Sequence, residues 1–194
     1  MSLTERRKLL APDKAQAIYL AASAATYIVL PVTPNDVPII EANCYIARTD
    51  MAGTGTYISV LGIGGNTSPG FYIKSWGQIN FEPRAWNGGS LQLCSPPFVS
   101  YMIDYTQKTC SVTRAAGSVV SLSFSGNTAN ANAFRLKLND KFMYRRLKIT
   151  VNGTVAFDLI AAADGDGTPC LKDVLTGNYY YDVNGTAVLT LPPQ

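Results

Sequence analysis

The sequence predicts an all-β protein, a two-sheet antiparallel β-sandwich preceded by a short N-terminal helical segment. Three observations carry this. From residue 17 onward, short runs rich in β-branched and aromatic residues follow one another. Gly, Pro, Asn or Ser separates most of them, and the chain holds 16 Gly and 11 Pro. No long helical period intervenes, the pattern of strands that pair with their sequence neighbours and stack as two layers. With 194 residues, 47% of them hydrophobic and 15% charged, the chain is long and apolar enough for one sizeable core.

Residues 2–11, "SLTERRKLLA", predict the helix. Ser2 and Glu5 have the spacing of a capping box, Leu3, Leu9 and Leu10 give a small apolar stripe, and Pro12 ends the segment. Ten residues make a marginal helix alone, so the stripe is expected to meet a partner. Residues 1–14 are accordingly read as a docking segment, with Leu3, Arg6, Arg7, Leu9 and Leu10 as its contact residues, and 15–194 as the sandwich. The predicted strands are "AIYLAA", "TYIVLPV", "PIIEANCYIAR", "TYISVLGIG", "GFYIKSW" and "QINFEPR". A hairpin over 98–124 follows, then "FRLKLND", "RRLKITVNGTVAFDLIAA" and "NYYYDVNGTAVLTL". Asn152-Gly153 and Asn184-Gly185 are expected at the centres of type I′ hairpin turns, because both residue types tolerate positive φ.

Composition excludes several chemistries. With no His, there is no Ser-His-Asp or Cys-His catalysis and no His-ligated metal. The net charge of +3, without a basic block beyond the N-terminus, argues against nucleic acid as a partner. Cys44, Cys94, Cys110 and Cys170 form no C-x-x-C pair; reduced, buried thiols are the favoured reading and one or two disulfides the alternative. "ERRK" before "AIYLAASAATYIVLP" has the outline of a secretion signal, but Pro12-Asp13-Lys14 interrupts it and its Tyr, Ser and Thr suit strands. The run is too short for a membrane span and ends at Pro31.

Local features are weighed against plain structural roles. "DGDG" (164–167) resembles half a calcium loop, but the later acidic ligand is missing and a turn is expected; no metal or other cofactor is assigned. "GIGG" (62–65) lacks the Lys and helix of a phosphate loop. The site candidates are aromatic, since sugar-binding sandwiches stack pyranose faces on exposed rings: Trp76, Trp86, Asn87 and, from the Tyr179–Tyr181 run, Tyr180. Core packing is the competing role for each. Glycoside hydrolysis needs two carboxylates about 5–10 Å apart. Glu41, Glu82, Asp104 and Asp158 are paired by no motif, so no catalytic residue is assigned and a non-enzymatic protein is expected.

Residues 17–46 resemble the opening of a domain common in gut-bacterial surface proteins and their phages, with Tyr19, Leu20, Ser23, Tyr27 and Ile28 at the matching positions. Ala24, Thr26, Val29 and Leu30 depart from the usual pattern there. The end of the chain, "LKITVNGTVAFDLIAAADGDGTPCLKDVLTGNYYYDVNGTAVL", resembles the same family's closing pattern through Asp158, Gly167, Leu171, Asp173, Gly177, Tyr179, Tyr180 and Gly185. The middle corresponds only in strand pattern. The resemblance implies a concanavalin A-like or laminin-G-like jelly roll. "LTERRKLL" is similar to segments that precede this domain in phage structural proteins. Together these imply a virion accessory protein (head fibre, capsid decoration or tail-fibre component) assembled in bacterial cytoplasm. Other virion proteins, further copies of itself and a host surface glycan would be its partners. A carbohydrate-binding module on the bacterial cell surface is the alternative.

Overall fold

The computed structural model describes residues 18–46, 57–63, 70–74, 78–82, 90–93, 97–124, 131–140 and 142–191. They form two antiparallel sheets that enclose a single hydrophobic core, a β-sandwich. No α-helix occurs among the described residues; a 3-10 turn at Pro34–Asp36 is the one helical element there. Residues 1–14, with the expected helix and the expected docking residues Leu3, Arg6, Arg7, Leu9 and Leu10, lie outside the described residues.

In chain order the strands are β1 (Tyr19–Ala22), β2 (Thr26–Val29), β3 (Ile39–Ile46), β4 (Tyr57–Ile63), β5 (Gly70–Lys74), β6 (Gln78–Glu82), β7 (Ser90–Leu93) and β8 (Phe98–Asp104). They continue as β9 (Thr109–Arg114), β10 (Val119–Ser123), β11 (Phe134–Leu138), β12 (Phe142–Val151), β13 (Thr154–Ala163), β14 (Pro169–Asp173), β15 (Tyr179–Tyr180) and β16 (Ala187–Thr190). The larger sheet runs β10-β9-β8-β3-β12-β13-β14-β15, with β1 joining β12 and β16 joining β1; the smaller runs β2-β11-β4-β5-β6-β7. Residues 98–124 form a three-strand meander, β8-β9-β10, where a hairpin was expected. Two strands escape the sequence pattern: "SLQL" of β7 is short, and "PCLKD" of β14 carries a Pro and two charges.

Alternation writes the core directly. Ile40, Ala42, Cys44 and Ile46 of β3, Leu147 and Ile149 of β12, and Phe134, Leu136 and Leu138 of β11 are all buried and belong to the core. At β12 the pairing with β3 skips Arg145, a one-residue bulge between Tyr144 and Arg146. There β12 also changes partner on its other edge: Leu20 of β1 lies opposite Tyr144, and Ile160 of β13 opposite Arg146. Cys44, Cys110 and Cys170 are free, buried thiols, and burial raises the pKa of the first two far above the ordinary thiol value, so they stay neutral.

The two Asn-Gly-Thr repeats fold differently. Asn152 (φ +51°) and Gly153 (φ +74°) join paired residues Val151 and Thr154, the expected type I′ hairpin. The second repeat is a correction. Gly185 has φ +66° while Asn184 does not adopt positive φ, and the flanking strands pair elsewhere, β15 with β14 and β16 with β1. The Asp182 carboxylate shapes this loop: Oδ2 accepts from the Asn184 and Thr186 amides (3.3 and 2.9 Å) and Oδ1 from the Ala187 amide (3.2 Å). Asn152→Ala is therefore expected to cost about 1–2 kcal/mol, the penalty of a left-handed alanine, and Asn184→Ala a few tenths at most. Equal shifts in thermal midpoint would contradict this difference. Gly153→Val and Gly185→Val should each cost about 1–3 kcal/mol through backbone strain alone, since an added Cβ meets nothing within 4 Å at either position.

Candidate functional site

The face of the larger sheet turned away from the core is built by the same alternation. Between inward Ile40, Ala42 and Cys44, β3 turns Glu41 and Asn43 outward; beside Leu147 and Ile149, β12 turns out Arg146 and Lys148. The registers align these side chains in rows across four strands. Arg146 lies opposite Asn43, Asn43 opposite Ser100 of β8, and Ser100 opposite Thr113 of β9. Two residues along, Lys148 lies opposite Glu41, Glu41 opposite Met102, and Met102 opposite Ser111. The rows border an open depression of about 360 Å³.

Its charged wall is fixed. Arg146 grips Asp158 of β13 with two hydrogen bonds, Nε to Oδ1 at 2.6 Å and a second from the guanidinium to Oδ2. The bidentate bonds and the carboxylate's charge raise the Arg146 pKa further. Lys148 Nζ is 2.6 Å from Glu41 Oε2. An exposed pair of this kind adds little stability, but each partner limits where the other can point. The depression thus offers hydroxyls, an amide and two fixed cations beside the apolar body of Met102, itself 37% exposed. Such a surface suits a polyhydroxylated ligand held by several neutral hydrogen bonds.

A second group of carboxylates shapes the loops at the end of the chain. Asp164 Oδ1 accepts from the Asp166 and Thr168 amides (both 2.9 Å), so "DGDG" is a turn between β13 and β14, as its sequence predicts. Asp173, fully buried, accepts from Thr176 Oγ1 (2.6 Å) and from the Leu175 and Asp158 amides (both 3.1 Å). Asp182 also accepts from Thr26 Oγ1 at 3.1 Å, tying the loop before β16 to β2. Burial of Asp173 and Asp182 acts to raise their pKa values, but the donated hydrogen bonds outweigh it and both are lowered.

Of the residues singled out for carbohydrate binding, Trp76, Trp86 and Asn87 lie outside the described residues. Tyr180 is half-buried, opposite Leu171 and packed against the core. Its neighbours Tyr179 and Tyr181 are the exposed members of the run. The groove residues Asn43, Ser100, Thr113 and Arg146 form no motif; their signal is polar residues on alternate positions of strands whose registers the sequence leaves unspecified. The fold defines the class, an antiparallel β-sandwich with a polar groove on one outer face. The chain matches no protein-family model and no curated protein.

Proposed function

We propose that the protein is a non-enzymatic adhesive module, a concanavalin A-like jelly roll that binds glycan in the groove of its larger sheet and is displayed on a phage particle. The observation that carries the binding half is the pair of cross-strand rows, which gathers Asn43, Ser100, Thr113 and Arg146 around one open depression. Neutral hydroxyl and amide groups on a rigid sheet lose little entropy when they bind, which suits a weak, repeated adhesive contact. The particle half rests on the resemblance of "LTERRKLL" and of the closing segment to phage structural proteins.

A glycan array followed by titration calorimetry tests the binding half. Ser100→Trp, which fills the groove from its floor, should abolish binding, and Asn43→Ala should weaken it about five- to tenfold, the worth of one or two hydrogen bonds. Undiminished binding by both variants would remove the groove from the site. Mass spectrometry of purified particles tests the other half: absence from particles and presence in a bacterial surface fraction would favour the cell-surface module.

A further inference from the structure

The row that crosses the groove does not stop at Arg146. Ile160 of β13 lies opposite Arg146, Lys172 of β14 opposite Ile160, and Tyr179 of β15 opposite Lys172. One unbroken line of outward side chains therefore joins the groove to the edge of the sheet. At that edge stand two exposed rings, Tyr179 and Tyr181, 39% and 45% accessible, with centroids 6.4 Å apart and planes inclined by 31°.

Both rings are held in place. The Tyr181 hydroxyl donates to Asp164 Oδ2 at 2.7 Å, and Asp164 uses its other oxygen to close its own turn. That bond raises the Tyr181 pKa to about 12, so the hydroxyl remains a donor. Lys172 Nζ sits 5.6 Å from the Tyr179 ring centre. Two exposed aromatic faces, positioned before any ligand arrives, form a platform of low entropic cost. Strands are spaced about 4.8 Å apart, so the four steps from β15 to β3 place Tyr179 roughly 19 Å from Asn43. One step is close to the length of one sugar unit in a linear chain.

We infer that Tyr179 and Tyr181 form a stacking subsite at one end of an extended site, and that the ligand is a linear oligosaccharide lying across the strands from the tyrosines to the groove. This rests on the glycan reading above and adds ligand shape and direction to it. The sugar faces stack on the two rings, Ile160 gives an apolar step between them and Arg146, and the far units reach Asn43 and Ser100.

The test is calorimetric titration of the full chain with linear α-glucan, β-glucan and N-acetylglucosamine oligomers of increasing length. In the series that binds, affinity should rise with length until the chain spans the four strand steps, then level. Tyr179→Ala should weaken the longest oligomers about tenfold, the worth of one stacked ring, and leave the shortest unchanged. Tyr179→Trp should keep the gain with length, which separates lost stacking from a disturbed fold. A flat dependence on length, or full affinity in Tyr179→Ala while Asn43→Ala still weakens binding, overturns the extended site and leaves the groove reading intact. If no linear oligomer binds while the glycan array still yields a ligand for the groove, the extended site falls and the groove reading stands; if the array is empty as well, both fall.

Discussion

Asp173→Ala is expected to destabilise the protein by about 3–5 kcal/mol, the largest loss for any single polar side chain described. The removed carboxylate leaves the Thr176 hydroxyl and the Leu175 and Asp158 amides without their acceptor; the Asp158 amide is buried, where an unsatisfied donor costs about 1–3 kcal/mol, and the other two, partly buried, add less each. The damage reaches further than one turn. Val174 and Asp158 exchange a second bond across the same point, the Val174 amide donating to the Asp158 carbonyl at 2.9 Å, and the Asp158 side chain holds Arg146 at the groove wall. Chemical denaturation measures the effect, and a loss below about 1 kcal/mol would show that water replaces the carboxylate. The wild type should also weaken in acid. The folded-state pKa of Asp173 lies below its ordinary value. The stabilisation is therefore complete above the unfolded-state pKa, near 3.8, and is lost as pH falls through the lower folded value. Asp182 shifts in the same direction and adds to the slope. Asp173→Asn should flatten it; an unchanged slope would assign acid sensitivity to other groups.

Phe134→Ala is expected to cost about 3–5 kcal/mol, the range for deleting a buried ring and leaving its cavity. Phe134 on β11 is fully buried in the smaller sheet and meets Tyr105, just beyond β8 of the larger sheet, edge to face at 5.6 Å. Tyr105 in turn meets Phe124 at 5.7 Å. The three rings bridge the sheets, and each such contact adds about 0.5–1.5 kcal/mol beyond burial. Phe134→Leu, which refills most of the space, should recover more than half of the loss. Equal unfolding midpoints for the two variants would mean that the ring contacts, rather than volume, set the cost.

The contrast between the Asn-Gly-Thr repeats shows where sequence reading stops. Local chemistry specified Gly at positive φ in both, and the structure has it in both. What differs is the residue two positions before the Asn: Thr150 in the first and Asp182 in the second. A carboxylate there collects amides that a hairpin would leave to its ladder, and the chain is steered to another strand. The alternation of β3 and β12 was equally legible, because burial on one face enforces a period of two. The groove was not, since Asn43 stands 57 positions before Ser100 and 103 before Arg146, and these strands are brought together by registers and by the Arg145 bulge. The aromatic run is legible as a site candidate, but the sequence points to Tyr180 within it. Pairing with Leu171 turns that ring towards the core, and its two neighbours share the outer side.

The pairing of β1 with β16 has a consequence for how the molecule can be carried. Tyr19 lies opposite Thr190, so a chain entering at Ile18 departs at Leu191 from a neighbouring point. A domain whose entrance and exit coincide hangs from one stem, as a pendant does, and can be spliced into a surface loop of a carrier without prising that loop apart. By the same geometry, a short bridge between 18 and 191 with new ends cut at the exposed Asn152-Gly153 turn should yield a permuted chain that keeps every strand pair across the groove.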